Sequence, residues 1–270
     1  MELKNLEGFK LGKKKLSYSD KEVILYALSV GAKADDLNLI FERELVVIPT
    51  YACALGLWGV ESAGDLGIYD RNKSLHASQK LIMHEKMPIE CSFWSSAKIL
   101  KVFDKGKAAL VDIEVKSEFF TAIYSVFLPG MGGWGGDRGL SSHVNRPIDS
   151  KSWSLNAETN ENQAALYRLT GDRHPIHIDT KIAKANGFDR PILHGLCTMG
   201  IVLKEICSQL DLSPSGMLQM QCKLSAPVFP GDSIRIVCVE EASGRIRFDS
   251  YVRDSLVLKD GLVFFGIGQS

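Results

Sequence analysis

The stretch Tyr167–Leu203, YRLTGDRHPIHIDTKIAKANGFDRPILHGLCTMGIVL, carries most of what this sequence discloses about fold and chemistry. It opens on a Gly171-Asp172 turn. Pro175 keeps the polar loop that follows out of regular helix, and His174 and His177 stand three apart within it. Seventeen positions after His177, His194-Gly195 opens an apolar run (Leu196, Met199, Ile201, Val202, Leu203) that reads as buried helix. An acid and an imidazole on a stiffened loop, leading to a glycine at the mouth of a buried helix, suit proton transfer.

Around that stretch the chain repeats itself in outline. In the first half, Ser19-Asp20-Lys21-Glu22 has capping-box spacing, with Tyr18 and Val23 placed as a hydrophobic staple, and Gly31 ends the helix. A buried, small-residue helix is expected over Pro49–Ser62. Strands follow over Ile89–Leu100, Ala108–Ser117 and Phe119–Leu128, with Asp104-Lys105-Gly106 turning between the first two. Gly130–Gly139, GMGGWGGDRG, lacks the lysine and hydroxyl residue of a phosphate loop and reads as a flexible loop. Leu140–Trp153 is polar, contains a proline and reads as a linker.

In the second half, Asn160 and Gln163 suggest an N-cap for a short helix over Ala164–Leu169. A long apolar helix from Ile192 to about Leu210 comes next, then strands Met217–Leu224, Asp232–Glu241, Arg245–Arg253 and Leu256–Gly266, with a Pro230-Gly231-Asp232 turn. The expected organisation is therefore an N-terminal half (1–139), a linker (140–153) and a C-terminal half (154–270).

Composition removes several classes of function. With 32 basic and 32 acidic residues among 270, the net charge is zero, and no global field draws nucleic acid or an anionic membrane. Lys13-Lys14-Lys15 is the only basic run and reads as a solvated turn. No window approaches about twenty apolar residues, and MELKNLEGFKLG is not a signal peptide. The ending GIGQS is not an SKL-type address. Six scattered cysteines without a CxxC pair suggest reduced thiols in a cytoplasmic protein.

YRLTGDRHPIHID resembles the hydratase-2 signature, roughly Y-x-L-S/T-G-D-x-N-P-L/I-H. GFDRPILHGLCTMG is similar to the segment that follows it in the MaoC-like (R)-specific enoyl-CoA hydratases and in the hydratase-2 part of peroxisomal multifunctional enzymes of type 2. The first half, with Leu28–Ala32, LHASQ at Leu75–Gln79 and the glycine-rich segment, resembles the non-catalytic half of the same family. The resemblance implies an α+β double hotdog, two curved antiparallel sheets each wrapped around a long central helix. It implies hydration of trans-2-enoyl-CoA to (3R)-3-hydroxyacyl-CoA and the reverse dehydration. CoA thioester is then the substrate, with neither cofactor nor metal, and a homodimer or one double-hotdog chain serving as a complete pseudo-dimer fits equally.

Position by position, Asp172 and His177 match the catalytic pair, and the Gly195 N–H matches the oxyanion donor. His76, Ala77, Lys105 and Leu224 match the walls of the CoA and acyl site, with Arg173, Pro175 and Ile176 lining it between the pair. Water addition needs a base for the attacking water, an acid for C2 and a fixed N–H for the thioester oxygen. Neutral His177 as base and Asp172 as acid is the preferred assignment, and the reverse fits the residues equally. His174 stands where the family has asparagine; an imidazole there is expected to touch the water and to add an acid-side pH dependence.

The residues have plainer readings as well. Asp172 alone would be a turn residue, Cys197 a small buried hydrophobe, and His84 and His143 solvent residues. His174, His177 and His194 can be drawn as zinc ligands, but hydration needs none. Three functions compete: the hydratase; a dehydratase on acyl carrier protein or on a branched, dicarboxylic or polyketide-like thioester; and an acyl-CoA-binding hotdog without turnover.

Overall fold

The alternation of apolar and polar residues along the strands builds a single sheet. In the computed structural model, which describes residues 2–139, 152–242 and 244–266, the first half runs β1 (Lys10–Tyr18), α1 (Asp20–Ser29), α2 (Leu37–Ile40), α3 (Tyr51–Leu55), α4 (Trp58–Gly64), β2 (Leu75–Met83), β3 (Cys91–Asp104), β4 (Ala108–Lys116) and β5 (Phe120–Pro129). The second half runs β6 (Ser152–Glu158), α5 (Gln163–Tyr167), α6 (Thr180–Ala185), α7 (Gly195–Leu210), β7 (Met217–Leu224), β8 (Ser233–Ala242), β9 (Arg245–Val252) and β10 (Ser255–Phe265). On β3, Phe93, Ala97 and Ile99 face the core, and a bulge between Ile99 and Lys101 resets the phase so that Val102 faces it too.

Strand order is β1-β3-β4-β5-β2-β7-β10-β9-β8-β6, all neighbours antiparallel. Each half contributes five strands in the same internal order, and the halves join where β2 pairs β7 from Ser78↔Lys223 to Ile82↔Gln219. This is the double hotdog that the sequence resemblance implies. The helix of the second half, α7, is buried along most of its 16 residues, as an element apolar all round must be. In the first half the corresponding helix is not long: it breaks into α3 and α4 between Leu55 and Trp58. The small residues that mark Pro49–Ser62 let α4 lie directly on the sheet; a Cβ at Gly59 would come within 2.5 Å of Val115 Cγ2.

The two halves also share a short motif. Tyr26-x-Leu28-Ser29 ends α1, and Tyr167-x-Leu169-Thr170 runs from the last residue of α5 through the 3-10 turn Arg168–Thr170; each hydroxyl donates to its tyrosine's carbonyl, at 2.7 and 2.8 Å. The two tyrosine rings meet 6.0 Å apart between α1 and α5.

Some expectations are corrected. Lys13–Lys15 is not a turn but part of the edge strand β1, where exposed lysines discourage another strand from pairing. Strands β1, β2 and β6 were not anticipated as strands; β1 is lysine-rich and β2 and β6 are polar, so the apolar pattern is weak. The linker expected at 140–153 lies outside the described residues except for Ser152 and Trp153, which are already in β6. The Asn160 side chain does not cap the helix, which begins at Gln163; instead the Asn160 N–H donates to the Gln163 side-chain Oε1 at 3.1 Å. The Ser19 capping box forms as expected. His84 hydrogen-bonds Thr121 Oγ1 at 2.8 Å rather than pointing only to solvent. No helix among the described residues is long and apolar enough to cross a membrane.

The close approach of α4 to the sheet gives a test. Gly59→Ala inserts a methyl against Val115 and is expected to cost about 1–3 kcal/mol by overpacking, seen as a lower thermal midpoint with the fold retained by circular dichroism.

Candidate active site

The site forms where the loop after α5 meets the first turn of α7. Gly171 and Asp172 follow the short turn at Arg168–Thr170. The Asp172 carboxylate then accepts the His174 N–H at 3.1 Å, and a 3-10 turn at Pro175–His177 reverses the chain. This local folding solves the spacing problem of two groups five residues apart. The potential ligand atoms of Asp172, His177 and His194 all lie within 4.8 Å of one another.

The hydrogen bonds assign the tautomers. His177 Nδ1 lies 2.8 Å from the Ile192 carbonyl, which can only accept, so Nδ1 carries the proton and Nε2 is left as a lone pair. His194 Nε2 donates in the same way to the Asp172 carbonyl at 3.1 Å. Its Nδ1 is buried with no hydrogen-bond partner among the described residues. The His177 and His194 rings stack at 3.6 Å, and His194 rests on Tyr167 at 4.8 Å.

The charges follow. Burial pushes His177 below its ordinary value, with Asp172 opposing in part. Burial and the neighbouring His177 push His194 down to about 3. At Asp172 burial acts upward, but His194, His177 and the His174 N–H together outweigh it and hold the carboxyl below the ordinary range. At neutral pH the site therefore starts as a carboxylate beside two neutral imidazoles.

Gly195 is the first residue of α7, so its N–H belongs to the orphan donors of a helix N-terminus, where partial positive charge collects. A Cβ here would stand 1.7 Å from Leu224 Cδ2, which places the expected wall residue Leu224 directly over the helix mouth. From the first half, His76 at the start of β2 feels the Asp172 charge, bonds the Ser78 carbonyl at 3.0 Å and packs on Tyr124. Ala77 is the extra residue of a bulge in the β2–β5 pairing, a device that re-aims neighbouring side chains. Pro175 and Ile176 lie in the 3-10 turn, and Arg173 is exposed beside Asp172.

Two further residues lie on loops around the group. His174 Nδ1 accepts the Ile176 N–H at 3.3 Å and caps the turn, with its ring 6.2 Å from that of His177. Lys105 lies in the β3–β4 turn at the sheet end, outside the Asp172–His177–His194 group. The residues with metal-ligating proximity are Asp172, His177 and His194, not the three histidines, and two of their ring nitrogens already serve backbone carbonyls. His194 was anticipated as the neighbour of Gly195 and as a drawable zinc ligand, not as a support for the pair. Its burial within an apolar run was the signal that it braces the pair.

A carboxylate and an imidazole thus converge beside the N-terminus of α7 in a double hotdog. Residues 141–259 match the MaoC like domain and residues 16–122 match the MFE-2 hydratase 2 N-terminal domain. A probable enoyl-CoA hydratase 2 of Dictyostelium discoideum is 34% identical over 254 residues, 87% of this chain and 85% of its own. The peroxisomal multifunctional enzyme type 2 of Mus musculus is 32% identical over 269 residues, which span 92% of this chain but 36% of the mouse protein. The crystal structure of a MaoC-like dehydratase from Phytophthora capsici superposes with a TM-score of 0.87 at 25% identity, covering 97% of each chain. The chain belongs to the MaoC-like, enoyl-CoA hydratase 2 family, and hydration of enoyl-CoA is the activity at family level.

The depressed histidine gives a test in stability. His194 titrates near 6.5 in an unfolded chain and at about 3 here, so the unfolded state binds the extra proton between those values. Stability is expected to fall as pH drops below about 6.5. The thermal midpoint of His194→Gln should depend less steeply on pH between about 6.5 and 4 than that of the unsubstituted protein.

Proposed function

We propose that the protein hydrates trans-2-enoyl-CoA to (3R)-3-hydroxyacyl-CoA and catalyses the reverse dehydration. The observation that carries this reading is the convergence of an ionised Asp172 and a neutral His177, its Nε2 lone pair free, beside the N-terminus of α7. His177 Nε2 removes a proton from water as the water oxygen attacks C3. The electron pair of the double bond moves through C2 to the thioester oxygen, which accepts the Gly195 N–H. Asp172 steadies the imidazolium by charge.

Because Asp172 starts ionised, the proton it delivers to C2 is one it has first received from His177. As that proton arrives, the enolate collapses to the saturated thioester, and one molecule of water has been added in balance. The helix dipole and the Gly195 N–H supply the electrostatic part of the rate. The same steps in reverse expel water, so metabolite levels set the direction.

His76 and Leu224 stand on β2 and β7, the two strands of the seam, so one chain supplies both walls and needs no second copy to complete the site. The six unpaired cysteines, five of them buried, fit a reducing compartment such as the cytoplasm.

The test is loss of conjugated-enoyl absorbance with short- and long-chain trans-2-enoyl-CoA, followed by chiral analysis of the product. Asp172→Asn and His177→Ala are each expected to lower kcat by about 10²–10⁴-fold and to yield no (3S) product. Tight binding of enoyl-CoA without turnover by the unsubstituted protein would instead identify a binder. His177 lies below its ordinary value, so the acid limb of log kcat/KM is expected below pH 6.5. His174→Asn keeps a capping acceptor at the turn. An unchanged acid limb in that variant would show that His174 adds no titration of its own.

A further inference from the structure

The glycine-rich segment after β5 is not a free loop. The Asp104 carboxylate, 4% exposed at the end of β3, accepts four backbone N–H groups. Gly106 and Gly133 donate to Oδ1 at 2.8 and 2.9 Å, and Gly135 and Gly136 to Oδ2 at 2.7 and 3.3 Å. The Asp104 N–H in turn donates to the Asp137 carbonyl at 2.8 Å. The Gly133 N–H above all, with those of Gly106, Gly135 and Gly136, outweighs burial and holds the carboxyl at about 2. Its charge, and with it the clamp, persists at every physiological pH.

The clamp organises cations. Lys105 Nζ lies over the Phe103 ring at 5.1 Å and donates to the Arg138 carbonyl, so its ammonium is tethered to the loop that Asp104 holds. Lys107 and Arg138 are exposed beside it, and the Gly130 N–H joins the loop to the Lys107 carbonyl at 2.9 Å. The place of this cluster follows from strand register. β5 pairs Val126 with His76 and Phe127 with Leu75, then ends at Pro129. The β3–β4 turn and the loop therefore stand at the sheet end where His76 enters the candidate site.

We infer that Asp104 is a positioning residue: through the loop it sets Lys105, Lys107 and Arg138 as a rigid cationic rim that reads the nucleotide phosphates of a CoA thioester. The inference deepens the hydratase reading and rests on it for its kinetic test. A preformed rim recognises phosphate without first ordering a mobile loop, and the saved ordering appears as affinity. Asp104 touches neither the acyl group nor the reacting atoms, so its removal acts on binding and not on the chemical step.

The experiment compares one trans-2-enoyl group carried by CoA and by N-acetylcysteamine, a truncated thiol without phosphates. Asp104→Asn keeps the acceptor at Oδ1 and sets an amide against the Gly135 and Gly136 donors. It is expected to raise KM for the CoA thioester about tenfold, the worth of one charge-assisted contact. The kcat for that substrate, and KM for the truncated one, should stay within about twofold. Gly135→Ala, at φ 77° with open space around it, strains the loop without touching the core and should move KM in the same selective way. An unchanged KM in both folded variants, or equal losses on both thioesters, would overturn the inference. Calorimetric titration with CoA alone separates the two readings. If the unsubstituted protein binds CoA without turning over either thioester, the hydratase reading fails. A roughly tenfold weaker Kd in Asp104→Asn would then still support the clamp, and an equal Kd would end it.

Discussion

The pairing of β2 with β7 is the constraint on which the rest depends. It merges two five-stranded halves into one sheet through residues 78–82 and 219–223. Every other neighbour in the strand order lies within one half. The seam sets His76 at one end of β2 near Asp172, and Leu224 at the end of β7 over Gly195. A one-residue slip would turn each of these side chains to the opposite face of the sheet. The site is thus built from register, with loop chemistry added to it.

On that frame the loop from Gly171 to His177 does little and does it rigidly. Backbone carbonyls fix both histidine tautomers, a backbone N–H fixes the carboxylate, and the stacked rings leave each imidazole few alternatives. Burial lowers both imidazoles, and coupling to the two histidines together with the His174 N–H holds the Asp172 carboxyl below its ordinary range despite its own burial. Preorganisation of this kind places the cost of ordering in folding and not in each turnover.

Much of this was legible in the sequence because the signals are local and chemical. Pro175 and the Gly-Asp turn marked an irregular loop, the apolar run after Gly195 marked a core helix, and Ser19–Glu22 marked a helix start. What stayed hidden depends on partners distant in sequence. Lysine-rich β1 is a strand only because β3 offers it a ladder, so composition alone read Lys13–Lys15 as a turn. Ten residues with so many glycines read as flexible because nothing nearby in sequence announces that Asp104, about thirty residues earlier, gathers their N–H groups. His194 was missed as a brace for the same reason: its partners are residues 167, 172 and 177, brought to it by the fold.

The matched motifs Tyr26-x-Leu28-Ser29 and Tyr167-x-Leu169-Thr170 show two copies of one plan that no longer share a task. Two identical subunits would oblige every substitution to appear on both sides of the seam. Here Met83 ends β2 where Leu224 ends β7, and each position can change alone. One half is free to change while the other keeps the Asp172–His177 loop intact, so the two halves become separately heritable.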